Sequence, residues 1–317
     1  MKSYFIPLIV ILALLPLALN AQQRPNIVFI LADDLGYGDL GVYGQQHTPN
    51  LDRLAAEGMR FTQFYAGTTV CAPSRSALLT GQHTGHTYIR GNKEIKPEGQ
   101  EPLADSVQTF AQLLQRAGYV TGAFGKWGLG MAGTAGDPNG KGFDEFFGYN
   151  CQRQSHRYYP THLWHNQEKV VLEGNNLSQR AHYAPAIIQE RTLAFIENHQ
   201  DTAFFLFIPT TLPHAELAGP NDEYYRQYEH AFDETRHRGN DYGPKATIGG
   251  YASVAKPHAR FAAMVSRMDG YVGQVMDKLD ELGPVTTPSY YSPVIMALTK
   301  KAGPIRLFSI VREVYVA

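Results

Sequence analysis

The amino-acid sequence predicts an α/β fold with a central, mostly parallel sheet flanked by helices, and three observations predict it. Short unbroken apolar runs, Ile27-Val28-Phe29-Ile30-Leu31 and Ala203-Phe204-Phe205-Leu206-Phe207-Ile208, read as strands buried on both faces of a parallel sheet. Helical patterns opened by proline or closed by glycine alternate with such runs, the order of strand, crossover and helix. Polar residues gather just past the ends of three predicted strands, where open α/β sheets place their ligands. With 317 residues and 44% hydrophobic content the chain is large enough to bury a substantial core.

Taken in order, residues 1–21 carry one lysine, a long apolar stretch and the small residue Ala21 at its exit, the pattern of a secretory signal peptide. Pro7 and Pro16 interrupt the run, which favours cleavage over a retained anchor, and the mature chain is expected to start near Gln22. No other stretch is long or apolar enough for a membrane span, so the protein is expected to be exported, periplasmic or secreted. The strand at 27–31 ends at Ala32-Asp33-Asp34. Thr48-Pro49 then opens a helix with Leu51, Leu54 and Ala55 on one face and Gly58 at its end. Residues 107–117 form an amphipathic pattern stopped by Gly118, and 119–124 lead as a strand into Gly125-Lys126-Trp127. A helix is expected over 184–198, followed by the strand at 203–208, which exits into Thr210-Thr211-Leu212-Pro213-His214. Residues 221–256, rich in Tyr, His, Arg, Gly and Asp, read as a surface excursion of the kind that walls a substrate pocket, and 261–282 as a further helix.

The net charge of −1, with 28 Lys and Arg in no dense run, leaves no electrostatic footprint for nucleic acid or an anionic membrane surface. A small, discrete substrate fits better. Asp33 and Asp34 are adjacent carboxylates at a strand end, and two like charges there repel unless a cation or a proton compensates them. A solvated Asp-Asp turn is the bland alternative. Cys71 precedes Pro73 at a helix start, so its side chain faces free backbone N–H groups with Arg75 one turn away. That position suits an anion, a thiol nucleophile of lowered pKa, or, in an oxidising compartment, a disulfide to Cys151.

Cys71-Ala72-Pro73-Ser74-Arg75, followed by Leu79-Thr80-Gly81, resembles the Cys-x-Pro-Ser-Arg signature of type I sulfatases. Pro25-Asn26-Ile27-Val28, Asp33-Asp34, Gly125-Lys126-Trp127 and Pro213-His214-Ala215-Glu216 accompany it in the family's order, and the resemblance runs from Arg24 to about Gly283. It implies the sandwich of the alkaline-phosphatase-like superfamily and a sulfuric ester hydrolase. In that family the cysteine is oxidised after translation to formylglycine by a maturing enzyme, which Cys71 would meet as a partner. The resemblance places Asp33, Asp34 and the modified Cys71 on Ca²⁺, and Arg75 in support of the hydrated aldehyde. Lys126 would hold the sulfate, with His214 beside the leaving-group oxygen as a candidate general acid. In this chemistry one aldehyde-hydrate hydroxyl attacks sulfur, the alcohol leaves, and the second hydroxyl expels sulfate. Pro213-His214-Ala215-Glu216-Leu217 and Gly85-His86-Thr87 resemble polysaccharide-degrading bacterial members, which implies a sulfated carbohydrate substrate. The rivals are a phosphodiester or phosphonate hydrolase of the same superfamily and a non-catalytic pseudoenzyme.

Two departures qualify the resemblance. Many members have Gly-Lys-Trp-His-Leu-Gly where this chain has Gly125-Lys126-Trp127-Gly128-Leu129-Gly130; His83 and His86 are candidates for the vacant role, though both also read as plain loop residues. The family's later Ser-Asp-Asn-Gly strand end, which completes the Ca²⁺ shell, and a further lysine beyond it are missing. Three prolines and a Thr-Thr make the stretch after Gly283 a poor strand. The neighbouring reading frame over residues 284–301 can encode such a strand and motif. Residues 22–283 are therefore read as an incomplete catalytic domain lacking the C-terminal part of the fold. Residues 284–317 read as an out-of-frame tail produced by a one-base shift near codon 283, and the chain itself is expected to be inactive.

Overall fold

The computed structural model describes residues 24–44, 47–61, 65–96, 98–176, 178–239, 251–282, 294–298 and 310–311. The expected signal peptide lies outside them. In chain order the regular elements begin with β1 (Ile27–Ala32), α1 (Pro49–Glu57), β2 (Met59–Arg60), α2 (Cys71–Thr80), α3 (Phe110–Arg116) and β3 (Val120–Lys126). They continue with β4 (Glu145–Tyr149), β5 (His162–His165), β6 (Glu168–Val171), α4 (Ala184–Asn198) and β7 (Phe204–Pro209). The last are α5 (Glu223–Tyr228), α6 (Pro257–Glu281), β8 (Val294–Leu298) and β9 (Ile310–Val311).

The strands form one sheet in the order β2-β9-β8-β1-β7-β3-β4-β5-β6. Its centre, from β8 to β4, is parallel, with Ile27 opposite Phe205, Val120 opposite Phe204 and Lys126 opposite Tyr149. Both margins turn antiparallel, β5 and β6 at one edge and β9 and β2 at the other. This is the α/β architecture expected from the sequence.

Period-two alternation sends one set of apolar residues to each face of the sheet. Val28, Ile30, Phe204, Leu206 and Ile208 pack with Leu51 and Leu54 of α1, Ile188 and Phe195 of α4, and Val265, Met268 and Val272 of α6. Phe29, Leu31, Phe205 and Phe207 pack on the other side with Ala72 and Leu79 of α2 and Ala111 of α3. Helices on both faces explain why these strands read as unbroken apolar runs.

Several boundaries differ from the sequence reading. α3 starts at Phe110 because the Thr109 side chain accepts from the Gln112 N–H while the Gln112 side chain accepts from the Thr109 N–H, a capping box that fixes the first turn. α6 starts four residues before the expected 261, with Pro257 in its first turn. β4, β5 and β6 were not expected; they are short and carry polar residues that dilute the apolar signal. Val294–Leu298 is also a strand, parallel to β1, in a stretch read as unfavourable for one: the three prolines all precede it, and the run itself is apolar. The surface excursion contains α5, and its residues 240–250 lie outside those described.

Candidate active site

The site sits at the carboxyl edge of the parallel strands. β1 delivers Asp33 and Asp34 immediately past its last residue, β3 ends on Lys126, and the loop after β7 carries His214. The Asp33 N–H donates to the Leu212 carbonyl at 3.1 Å, tying the first loop to the third. Cys71 is the first residue of α2, after the extended Val70, and the Ala72 N–H donates to the Asn92 side chain at 2.9 Å. α2 is buried along most of its length, so its amino end is rigidly aimed at β1 and β3.

Asp33 is the hub. Lys126 Nζ lies 2.6 Å from Asp33 Oδ2, an Arg75 nitrogen lies 3.5 Å from Oδ1, and all three side chains are buried. Cys71 Sγ is 3.7 Å from Asp33 Oδ1, and His214 Nε2 is 3.1 Å from Asp34 Oδ2. Burial alone would raise the Asp33 pKa. The charges of Lys126, His214 and Arg75 and the Lys126 hydrogen bond outweigh it and hold the carboxyl well below its ordinary range. Cys71 goes the other way: burial and the Asp33 charge push its thiol up, against Lys126 and Arg75. The thiolate nucleophile of lowered pKa that the sequence left open is thus corrected, since burial, with the Asp33 carboxylate beside the thiol, outweighs the neighbouring cations. The disulfide is absent as well; both Cys71 and Cys151 are free thiols.

Arg75 donates through one guanidinium nitrogen to the Lys126 carbonyl at 2.6 Å, while its other terminal nitrogen is buried without a hydrogen-bond partner among the described residues. Asn150, directly after β4, is buried with neither side-chain amide atom hydrogen-bonded among the described residues. Asp33 Oδ, Cys71 Sγ and His214 nitrogen fall within 4.8 Å of one another, close enough to share a cation. Of that group Asp33 offers the oxygen donor that suits a hard divalent ion; Asp34, expected as a second ligand, is not in the group, and its carboxylate lies 3.1 Å from His214 Nε2.

The structure also brings in a histidine that sequence reasoning missed. His156, on a short turn of 3₁₀ helix spanning Gln154–His156, stacks on His214 with ring centroids 4.6 Å apart and planes 9° apart. Tyr251 packs edge-on against both rings. Burial, with the Lys126 and His214 charges behind it, pushes the His156 pKa down to about 2, so the ring is neutral. His156 carries no sequence signal of its own, since its turn lies between two short strands. His83 and His86 are exposed on the loop after α2, and His83 Nδ1 accepts the Gly85 N–H within that loop; they do not enter the site. The space beside Gly128 is filled by Gln152: a Cβ at Gly128 would lie 1.8 Å from Gln152 Nε2, and the Gly128 backbone has φ +76°.

Residues 25–288 match the sulfatase family model. This chain belongs to the sulfatase family. Rat arylsulfatase G (Rattus norvegicus) is 30% identical over 300 residues, covering 85% of this chain and 51% of that protein. Human N-acetylgalactosamine-6-sulfatase (Homo sapiens) is 46% identical over 144 residues, 42% of this chain and 27% of that protein. This sulfatase chain therefore spans about half or less of the length of these relatives. Among solved structures, Ps i-CgsB in complex with k-i-k-neocarrahexaose superposes with a TM-score of 0.70 at 22% identity, covering 92% of this chain and 66% of that one; at that identity it attests the shared fold. No helix among the described residues is long and apolar enough to cross a membrane.

Proposed function

We propose that this sulfatase-family chain carries the nucleophile half of an exported, Ca²⁺-dependent enzyme that hydrolyses sulfate esters of carbohydrate. The observation that carries the reading is the convergence of Cys71, Asp33, Lys126, Arg75 and His214 at the amino end of one buried helix. In this reading Cys71 is converted to formylglycine by a maturing enzyme, and Asp33, Asp34 and the converted residue hold the cation. The cation supplies Lewis-acid stabilisation of sulfate oxygen charge, and the hydrated aldehyde supplies the nucleophile.

The chain's own residues then have distinct tasks. Lys126, buried beside Asp33, places a positive charge where a sulfate oxygen sits, and the Arg75 nitrogen 3.5 Å from Asp33, which makes no hydrogen bond among the described residues, offers a donor without reorganisation. His214, braced by the parallel His156 ring, is placed to give a proton to the departing alcohol oxygen. The carbohydrate reading is supported by the similarity to human N-acetylgalactosamine-6-sulfatase and by the k-i-k-neocarrahexaose with which the solved Ps i-CgsB is complexed.

A further part of the reading concerns residues 284–317, taken as an out-of-frame tail after a shift near codon 283. Sequencing the DNA across that codon tests it, and it fails if no shift opens a sulfatase frame.

For the function, the protein co-expressed with a formylglycine-generating enzyme is expected to show the thiol-to-aldehyde mass loss in its Cys71 peptide. With the frame restored, 4-nitrophenyl sulfate should turn over in preference to 4-nitrophenyl phosphate, and chelation should abolish the activity. Preference for the phosphate would overturn the reading in favour of a phosphohydrolase.

A further inference from the structure

A cavity of about 320 Å³ lies beside the candidate active site, lined by Glu98, Gln154, Arg157, His162, Trp164 and Lys169 among others. Its volume is in the range of small-molecule sites. The 3₁₀ turn that places His156 against His214 places Gln154 in this cavity, two residues away. Arg157 of the cavity wall forms a buried ion pair at 2.9 Å with Glu216, two residues past His214, which ties the cavity to the loop that carries His214.

The lining is built and selective. Gln154 is 6% exposed; its amide nitrogen donates to the His162 carbonyl at 2.9 Å, which leaves Oε1 buried and without a hydrogen-bond partner among the described residues. Glu98 accepts from Trp164 Nε1 at 2.8 Å and pairs with His162 Nε2 at 2.7 Å, locking the half-buried indole in place, and Lys169 Nζ lies 5.2 Å from the indole centroid. An apolar ligand would leave Gln154 Oε1 unsatisfied. Of the cationic lining residues, Arg153 and Arg157 are already paired with Glu94 and Glu216, and a simple anion would also meet two acceptors, Gln154 Oε1 and the Glu98 carboxylate. A hydroxyl-rich ring satisfies both, giving O–H donors to Gln154 and Glu98, acceptors to Lys169 and its C–H surface to Trp164.

We propose that this cavity is a second sugar subsite, seating the pyranose unit that neighbours the sulfated residue of an oligosaccharide. The inference rests on the sulfated-carbohydrate reading above, and it makes an oligosaccharide, not a monosaccharide, the preferred ligand.

The test is calorimetric titration of the full chain, in calcium-containing buffer, with tetrasaccharides of chondroitin 6-sulfate, chondroitin 4-sulfate and κ-carrageenan. The same titration is run with 4- and 6-sulfated N-acetylgalactosamine and galactose. At least one tetrasaccharide is expected to bind ten or more times tighter than its monosaccharide. Trp164→Ala and Gln154→Leu are each expected to bring that tetrasaccharide down to the wild-type monosaccharide value. If the monosaccharides bind and no tetrasaccharide binds tighter, the subsite is overturned while the carbohydrate reading stands. Retention of the full advantage in both variants overturns it too, and binding of none of the probes overturns both readings. The wild-type comparison decides even where a variant does not fold.

Discussion

Gly128 stands where many sulfatases carry histidine, and the structure makes its replacement a quantitative test of what fills the gap. Two costs attach to Gly128→Ala. The backbone at φ +76° is left-handed, which costs a residue bearing Cβ about 1–2 kcal/mol. The new Cβ also lies 1.8 Å from Gln152 Nε2 and 2.6 Å from its Cδ, so the buried side chain must move and give up its 3.3 Å bond to the Gly128 carbonyl. Because the obstacle is the tip of a flexible side chain, this second cost falls at the low end of overpacking penalties, about 1 kcal/mol. The total is about 2–3 kcal/mol, or a fall in Tm of very roughly 4–12 °C at about 2–4 °C per kcal/mol. In a Gln152→Ala background only the backbone cost remains, so the double-mutant cycle should return a coupling of about 1 kcal/mol. Urea denaturation of the four proteins measures it. Zero coupling would refute the argument that Gln152 occupies the space of the missing side chain, and a neutral Gly128→Ala would refute the backbone argument.

Four other outcomes are expected. Lys126→Met should destabilise the protein by about 3–5 kcal/mol in denaturant titration, because it strips the 2.6 Å partner from a buried carboxylate, and Asp33→Leu in the same chain should restore most of the loss. Cys71→Ala should leave stability within about 1 kcal/mol, since the thiol makes one long contact to Asp33, yet abolish sulfate-ester turnover in the frame-restored enzyme. His156→Phe should preserve the fold better than His156→Ala in thermal melts, because a neutral ring stacked on His214 acts as an aromatic surface worth about 0.5–1.5 kcal/mol; equal losses would show that its nitrogens matter more. Burial raises the Glu98 pKa, but the hydrogen bonds from His162 and Trp164 and the charges of His162 and Lys169 more than offset it and leave it lowered. Its folded pKa being below the unfolded one, Glu98 contributes stability above the ordinary carboxylate pKa and loses it as pH falls through the lowered value, so Glu98→Gln should flatten the acid limb of the stability curve.

The amino-acid sequence by itself determined the central strands and the two longest helices, Ala184–Asn198 and Pro257–Glu281. Ile27–Ala32 and Phe204–Pro209 are buried on both faces, so their apolar runs are unbroken, and the Cys71-to-Arg75 motif fits within about one helical turn. Local patterns of this kind are written in neighbouring residues. Only the tertiary structure decided what depends on residues distant in the chain. It buried the Cys71 thiol and set it against Asp33, 38 positions away, and so raised a pKa that the helix start alone left free to fall. It put His156, not His83 or His86, beside His214, and it filled the space at Gly128 with Gln152. It also closed a cavity between Glu98, Gln154 and Trp164, residues carried on separate segments. Burial, opposing charge and steric exclusion act through space, and no local pattern in the chain records which surfaces the sheet will bring face to face.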